Sequence, residues 1–323
     1  MNTLDRYINK FQKLRQGVTK YGPAPHKAVM LLSIIRGIEL DYIRNNTIQV
    51  TPELVSLFKS TWNVLVESKH VATFALPFFH LQSEGFWTLH VRPGFENWLK
   101  ATKSLSSFSQ LQIAVEYAAL DGELFLLLAN GKTRNQLKDV LLETYFPNTK
   151  NNWNRLDRNS YFDELSSNVI KEEPAEYVAG IDRLKNELDR DGFVEEVFIR
   201  SGIFKREVVK AYNYSCCISG LRVDTIHSAS LIDACHIVPF SESHDDTISN
   251  GLALCPTLHR AFDRHLIAID DDYRVVISKS FIERSDSPYS IRQFDGCHVH
   301  LPANHRFYPG QSNCRKHRRM LIG

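Results

Sequence analysis

Leu231-Ile-Asp-Ala-Cys-His-Ile-Val-Pro-Phe240, Asn250-Gly-Leu-Ala-Leu-Cys255 and Leu258-His-Arg-Ala-Phe-Asp263 are the three stretches that decide how the C-terminal part of the chain reads. The first holds a His, the second opens on an Asn 14 residues later, and the third holds a His 9 residues beyond that Asn. Ser230 to Val238 is mostly apolar and predicts a strand that ends at Pro239, because proline has no N–H to give to a ladder. Gly251 to Cys255 is a second apolar run. Pro256 then suits the first turn of a helix in which Leu258, Phe262 and Leu266 recur at helical spacing. His259 and Asp263 lie four apart and so share a face of that helix. The order is strand, loop, strand, helix, with polar side chains converging.

These residue types suit metal-assisted hydrolysis of a phosphodiester. A neutral imidazole, His236, accepts a proton from water. An amide, Asn250, holds that imidazole by a hydrogen bond. An imidazole and a carboxylate, His259 and Asp263, hold a divalent cation against the scissile phosphate. The competing explanation is a cluster of satisfied buried polar groups in a small α+β domain, which leaves the joint spacing unaccounted for.

The three stretches resemble the HNH endonuclease family, over Lys210 to Ser278. The resemblance implies a ββα-metal fold, His236, Asn250 and His259 as catalytic residues, and a divalent ion: Mg2+ or Mn2+, with Zn2+ as a further choice. Some members carry a metal-binding acid immediately before the catalytic His. Cys235 stands there instead, which favours a softer ion. The first metal ligand is thus open between Cys235 and, less directly, Asp233.

At 323 residues the chain is long enough for two or three domains, with ordinary hydrophobic (43%) and charged (24%) fractions. A net charge of +2 excludes a polycation, so any nucleic-acid surface is local. Arg315-Lys-His-Arg-Arg319 offers one such patch, or else a solvated end. No apolar run approaches the roughly 18 residues of a membrane span, and no leader pattern opens the sequence, so a cytoplasmic protein is expected. All six cysteines follow residue 215 and none forms a C-x2-C pair, which fits neither a disulfide frame nor a common zinc knuckle.

An α+β chain is predicted, mostly helical before residue 165. Amphipathic helices are expected at Leu4 to Leu14, at His26 to Glu39, and after a Thr51 cap at Pro52. A small hairpin is expected across Ser83-Glu84-Gly85, and further helices at Leu111 to Ala119, Gly122 to Ala129 and Thr133 to Tyr145. The Asn-rich stretch 148–159 marks the end of a first domain, 1–165. Residues 166–199 read as a charged helical linker and 200–323 as the nuclease domain, with a helix at Phe204 to Tyr212 and a hairpin with an acidic turn at Ala268 to Ile277. His298 and His300 alternate, but no third ligand is evident.

Ala24-Pro-His-Lys-Ala-Val-Met-Leu-Leu32 and Leu76-Pro-Phe-Phe-His-Leu-Gln-Ser-Glu-Gly-Phe-Trp-Thr-Leu89 resemble the sulfur-binding domain found ahead of HNH modules in phosphorothioate-dependent type IV restriction endonucleases. The resemblance implies that His26 and Lys27 lie near the DNA backbone, and that Pro77, flanked by Leu76, Phe78 and His80, helps form an apolar pocket for sulfur. The chain departs from the family at Leu76, where Tyr is usual, and at His80, where a small residue is usual. The plainer alternative is a helical domain in which His26 caps a helix and Leu76-Pro77 is core.

Together these readings predict a modification-dependent, phosphorothioate-reading endonuclease of double-stranded DNA in bacterial defence, and leave a homodimer open. An HNH nuclease that reads a modified base, and a DNA-binding protein with an inactive HNH remnant, are the alternatives.

Overall fold

The computed structural model describes residues 2–156, 160–223, 230–284 and 289–321. The chain is α+β and divides into two compact units, one of residues 1–165 and 187–199 and one of residues 166–186 and 200–323. Residues 157–159 of the Asn-rich stretch and 224–229 of the HNH-like region lie outside the described residues. No helix among the described residues is long and apolar enough to cross a membrane.

The first unit is built on helices whose ends the sequence signals. Thr51 caps Pro52–Leu65, its hydroxyl accepting from the Leu54 N–H at 3.2 Å, and Pro52 fills the first helical position. His26–Glu39 buries Val29, Leu32 and Ile35, which recur at helical spacing and form its inner stripe. The expected hairpin does not form. Ala75–His80 is a short helix, and the strand Trp87–Val91 pairs antiparallel with Val115–Leu120, Leu89 opposite Ala118. Residues 115–119 had been expected in a helix. A short apolar run carries no period that separates helix from strand, and the distant ladder partner decides it.

The stretch expected as a charged helical linker is helical. Ser160–Lys171, Pro174–Glu187 and Arg190–Ala211 are packed helices, with Val169, Tyr177 and Ile181 buried. The charge run is the wet side of amphipathic helices, and Tyr177 and Ile181, four apart, form the dry side of one.

In the second unit the strands Asp233–His236 and Gly251–Leu254 run antiparallel, with Asp233 opposite Leu254 and His236 opposite Gly251. The helix Pro256–Asp263 follows directly. The expected hairpin is present as Ile267–Ile269 paired with Val275–Ile277, and its turn is held by the Asp270 carboxylate, which accepts from the N–H groups of Asp272 and Arg274. Phe204 and Val208, from the helix Arg190–Ala211, pack into the same core as Leu252, Leu254 and Phe262. Gly251 is required there, because a Cβ at that position would lie 2.5 Å from Val208 Cγ2.

Candidate functional site

His236 ends the first strand of the pair and is held from two sides. Its Nε2 lies 2.7 Å from Asp246 Oδ1, and its ring stacks on Phe204 with centroids 3.9 Å apart and planes 6° off parallel. Asp246 is buried at 1% exposure, whereas the imidazole keeps 22% of its side chain accessible. A buried acceptor thus faces one nitrogen while part of the ring stays open to solvent.

Asn250 does not hold the imidazole. It is fully buried, its Oδ1 accepts from the Val238 N–H and from Asn313 Nδ2 at 3.0 Å each, and its Nδ2 donates to the carbonyls of Val238 and Asp245 at 2.9 Å. It therefore staples the two ends of the loop between the strands. Asp245 adds to that loop by accepting from the Thr247 N–H at 2.8 Å, and burial pushes its carboxyl above the usual range. The imidazole's partner is Asp246, which sequence reasoning missed. The available signal was an Asp-Asp pair inside the His-to-Asn gap, in a run otherwise lacking any period.

His259, Asp263 and Cys235 come together as expected. One ligand atom from each lies within 4.8 Å of the others, the one such group of three among the described residues. His259 Nε2 is 3.4 Å from Asp263 Oδ2, and its Nδ1 is 3.6 Å from Asp233 Oδ2. Cys235 Sγ lies 3.5 Å from Asp263 Oδ1. Burial, followed by the charge of Asp263, raises the Cys235 thiol well above its ordinary range. Cys235 and Asp233 are two apart on the strand and reach the same helix, so Asp233 stands at the edge of this group. A thiol, an imidazole and a carboxylate form a donor set that fits a borderline ion of the zinc kind better than an all-oxygen site for Mg2+.

In the first unit, His26, Lys27, Leu76, Pro77 and His80 line one cavity of about 420 Å³, with Ala24 and Arg15 among its other walls. Phe78 does not line it; the ring is fully buried and packs on Phe74 and Trp87. Lys27 is paired with Glu84, bonds Ser83 Oγ at 2.8 Å, and keeps 11% of its side chain exposed. His26 Nε2 lies 2.9 Å from the Val71 carbonyl oxygen, and burial lowers its pKa. His80 Nε2 contacts Ser104 Oγ at 3.0 Å, and its pKa is lowered by burial and then by Lys27.

The remaining features carry less. His298 and His300 are exposed and belong to no three-ligand group among the described residues. The basic patch lies mostly in the helix Gln311–Arg318, where Arg315 and Arg318 bond Asp271 at 3.2 and 2.9 Å and Lys316 meets Glu242 at 3.1 Å. Much of its charge is therefore answered within the fold.

Two short antiparallel strands leading into a helix, with a half-open His on the first strand and three potential ligands drawn from that strand and the helix, make a ββα module. Residues 216–270 match the HNH endonuclease family, and the chain carries an HNH endonuclease domain there. Among solved structures, the chain is similar to a modification-dependent TagI restriction endonuclease, at 25% identity and a TM-score of 0.29. That match covers 39% of this chain and 39% of the other, well under two thirds of either. No curated protein matches the chain.

Proposed function

We propose that this chain is a metal-dependent endonuclease of double-stranded DNA, directed to modified sites by its first unit. The observation that carries the reading is the Cys235–His259–Asp263 group, beside a His236 whose backbone follows that of Cys235 directly. Adjacent Cα atoms are about 3.8 Å apart, so the proton acceptor and one ion ligand are neighbours along the backbone, with their side chains leaving the strand on opposite faces. His236 takes a proton from the attacking water. Asn250 fixes the loop behind it, in place of the direct contact that spacing suggested. Cys235, His259 and Asp263 would hold the divalent ion, with Asp233 within reach of His259. Such an ion supplies charge stabilisation at the phosphoryl oxygens. The thiol ligand favours Zn2+ over Mg2+.

For the modification we propose a phosphorothioate link. The wall of Leu76 and Pro77 supports it, since sulfur is weakly hydrated and loses little on entering an apolar pocket. The Lys27–Glu84 pair favours a second reading, a modified base, because it leaves the cavity without a free lysine for the backbone. Type IV restriction in bacterial defence is the biological role that fits either reading. Incubation of the full chain and Mn2+ with phosphorothioate, methylcytosine and plain duplexes decides between them. Preferential cutting of the phosphorothioate duplex is expected, and preference for the methylated duplex favours the modified base.

A further inference from the structure

We propose that Asp246 is the positioning residue for His236, and that it fixes which imidazole nitrogen is free to accept a proton. The inference rests on the reading of His236 as the base and adds a residue that the His-Asn-His pattern does not contain.

A carboxylate has no proton to give, so across the 2.7 Å contact it is His236 Nε2–H that donates. The proton on Nε2 leaves the lone pair on Nδ1. Asp246 sits at 1% exposure, and among the described residues its other oxygen, Oδ2, has no hydrogen-bond partner. The carboxylate is thus committed to the imidazole. Phe204 fixes the ring plane from the face, while Asp246 fixes rotation within that plane. When Nδ1 takes a proton from water, the O–H bond breaks, the N–H bond forms, and the imidazolium is stabilised by a charge-assisted hydrogen bond to the carboxylate.

The surroundings hold Asp246 in place. Asn250 closes the loop through Val238 and Asp245, and Asp245 braces Thr247, so the Asn acts on the imidazole through the loop that carries Asp246. From the helix Pro174–Glu187, buried Tyr177 comes close enough that its hydroxyl is raised by burial first and then by the charge of Asp246. The Arg200 guanidinium lies 5.3 Å from the centre of the Tyr177 ring. Segments that composition alone assigns to a linker therefore back the catalytic histidine.

The test uses the full chain as wild type, Asp246→Asn and His236→Ala, with single-turnover cleavage of a duplex in Mn2+, duplex affinity and melting temperature measured together. Asn keeps the shape of Asp, but its amide can donate to Nε2 and so favour the wrong tautomer. The rate of Asp246→Asn is expected to fall by about 10²–10⁴ with affinity and melting temperature unchanged. Ring nitrogen shifts of His236 in the wild-type protein, assigned by comparison with His236→Ala, are expected to show Nε2–H. They do not depend on how Asp246→Asn folds. A wild-type rate for Asp246→Asn beside an inactive His236→Ala, or an Nδ1–H tautomer in wild type, overturns the role of Asp246. A wild-type rate for His236→Ala overturns the reading of His236 instead.

Discussion

The nuclease core and the pocket of the first unit both gather histidines beside acidic residues, yet the charges are disposed in opposite ways. Around His259 the carboxylates stand at 3.4 and 3.6 Å, too far for close hydrogen bonds, and the thiol of Cys235 makes only a weak 3.5 Å donation to Asp263. Around Lys27 the charge is already answered by Glu84, in a pair whose side chains are only 11% and 6% exposed. The first arrangement is the one proposed to take a cation. The second must give up an internal bond before its lysine can serve a phosphate, and the buried carboxylate left behind would keep only the Arg15 N–H and the Ser83 hydroxyl as partners. Converging residue types therefore do not by themselves make a binding site; what matters is whether their charges are already spent.

Removing a ligand from the core is expected to have the largest effect. His259→Ala takes away one of the three proposed ligands. Losing even an indirect supporting partner typically costs about 10–100-fold in metal affinity or activity, so a loss of at least that order is expected in a Mn2+ titration of the cleavage rate. An unchanged midpoint would remove His259 from the site and erase the contrast with the pocket.

Acid should separate the two units. Burial, aided by His265, lowers His317 to about 4 from 6.5. Its stability contribution is present above about pH 6.5 and is lost as pH falls toward 4, at most roughly 3 kcal/mol. In the first unit burial raises Glu195 to about 7 from 4.5 despite Lys59 nearby. Its contribution is full below 4.5 and is lost as pH rises through about 7. Lowering the pH from 7 to 5 should therefore weaken amide protection in the second unit relative to the first. Hydrogen exchange reads this directly, and His317→Gln and Glu195→Gln should each flatten the pH response of their own unit. Parallel responses in both units would contradict the assignment.

Gly251→Ala tests how tightly the core is built. The added methyl meets Val208 Cγ2 at 2.5 Å and Phe204 behind it. Overpacking of this kind costs about 1–3 kcal/mol, and thermal unfolding should show it. A melting temperature equal to wild type would mean that the helix Arg190–Ala211 yields easily and positions Phe204 loosely.

The smallest effect is expected in the pocket. Glu84→Gln frees Lys27 and should strengthen binding to plain and phosphorothioate duplexes alike, adding about one to the salt slope. Isotherms at several salt concentrations check this, and an unchanged slope would mean that Lys27 never reaches the backbone.

Sequence carried far in some regions and failed in others for physical reasons. Local chemistry was legible: Thr51 and Pro52 start a helix, and the three stretches from Leu231 to Asp263 place two strands, a helix and the group of Cys235, His259 and Asp263. Pairing over distance was not. Nothing near Val115 announces Val91 as its partner across the ladder, and Glu84 lies 57 residues from the lysine it neutralises. Asp246 was hidden because its position depends on a loop shape that Asn250 imposes. Spacing suggested an Asn-to-His contact, whereas the amide is consumed by the backbone of the same loop.

The central claim is that His236 and a bound divalent ion together cut duplex DNA. It is tested most directly by following cleavage of a phosphorothioate-containing duplex by wild type and His236→Ala, each with Mn2+ and with EDTA. The account predicts cutting by wild type in Mn2+ alone, with a loss of about 10²–10⁴ in rate for His236→Ala at unchanged DNA affinity. Equal cleavage by the variant, or cleavage by wild type that persists in EDTA, would contradict it.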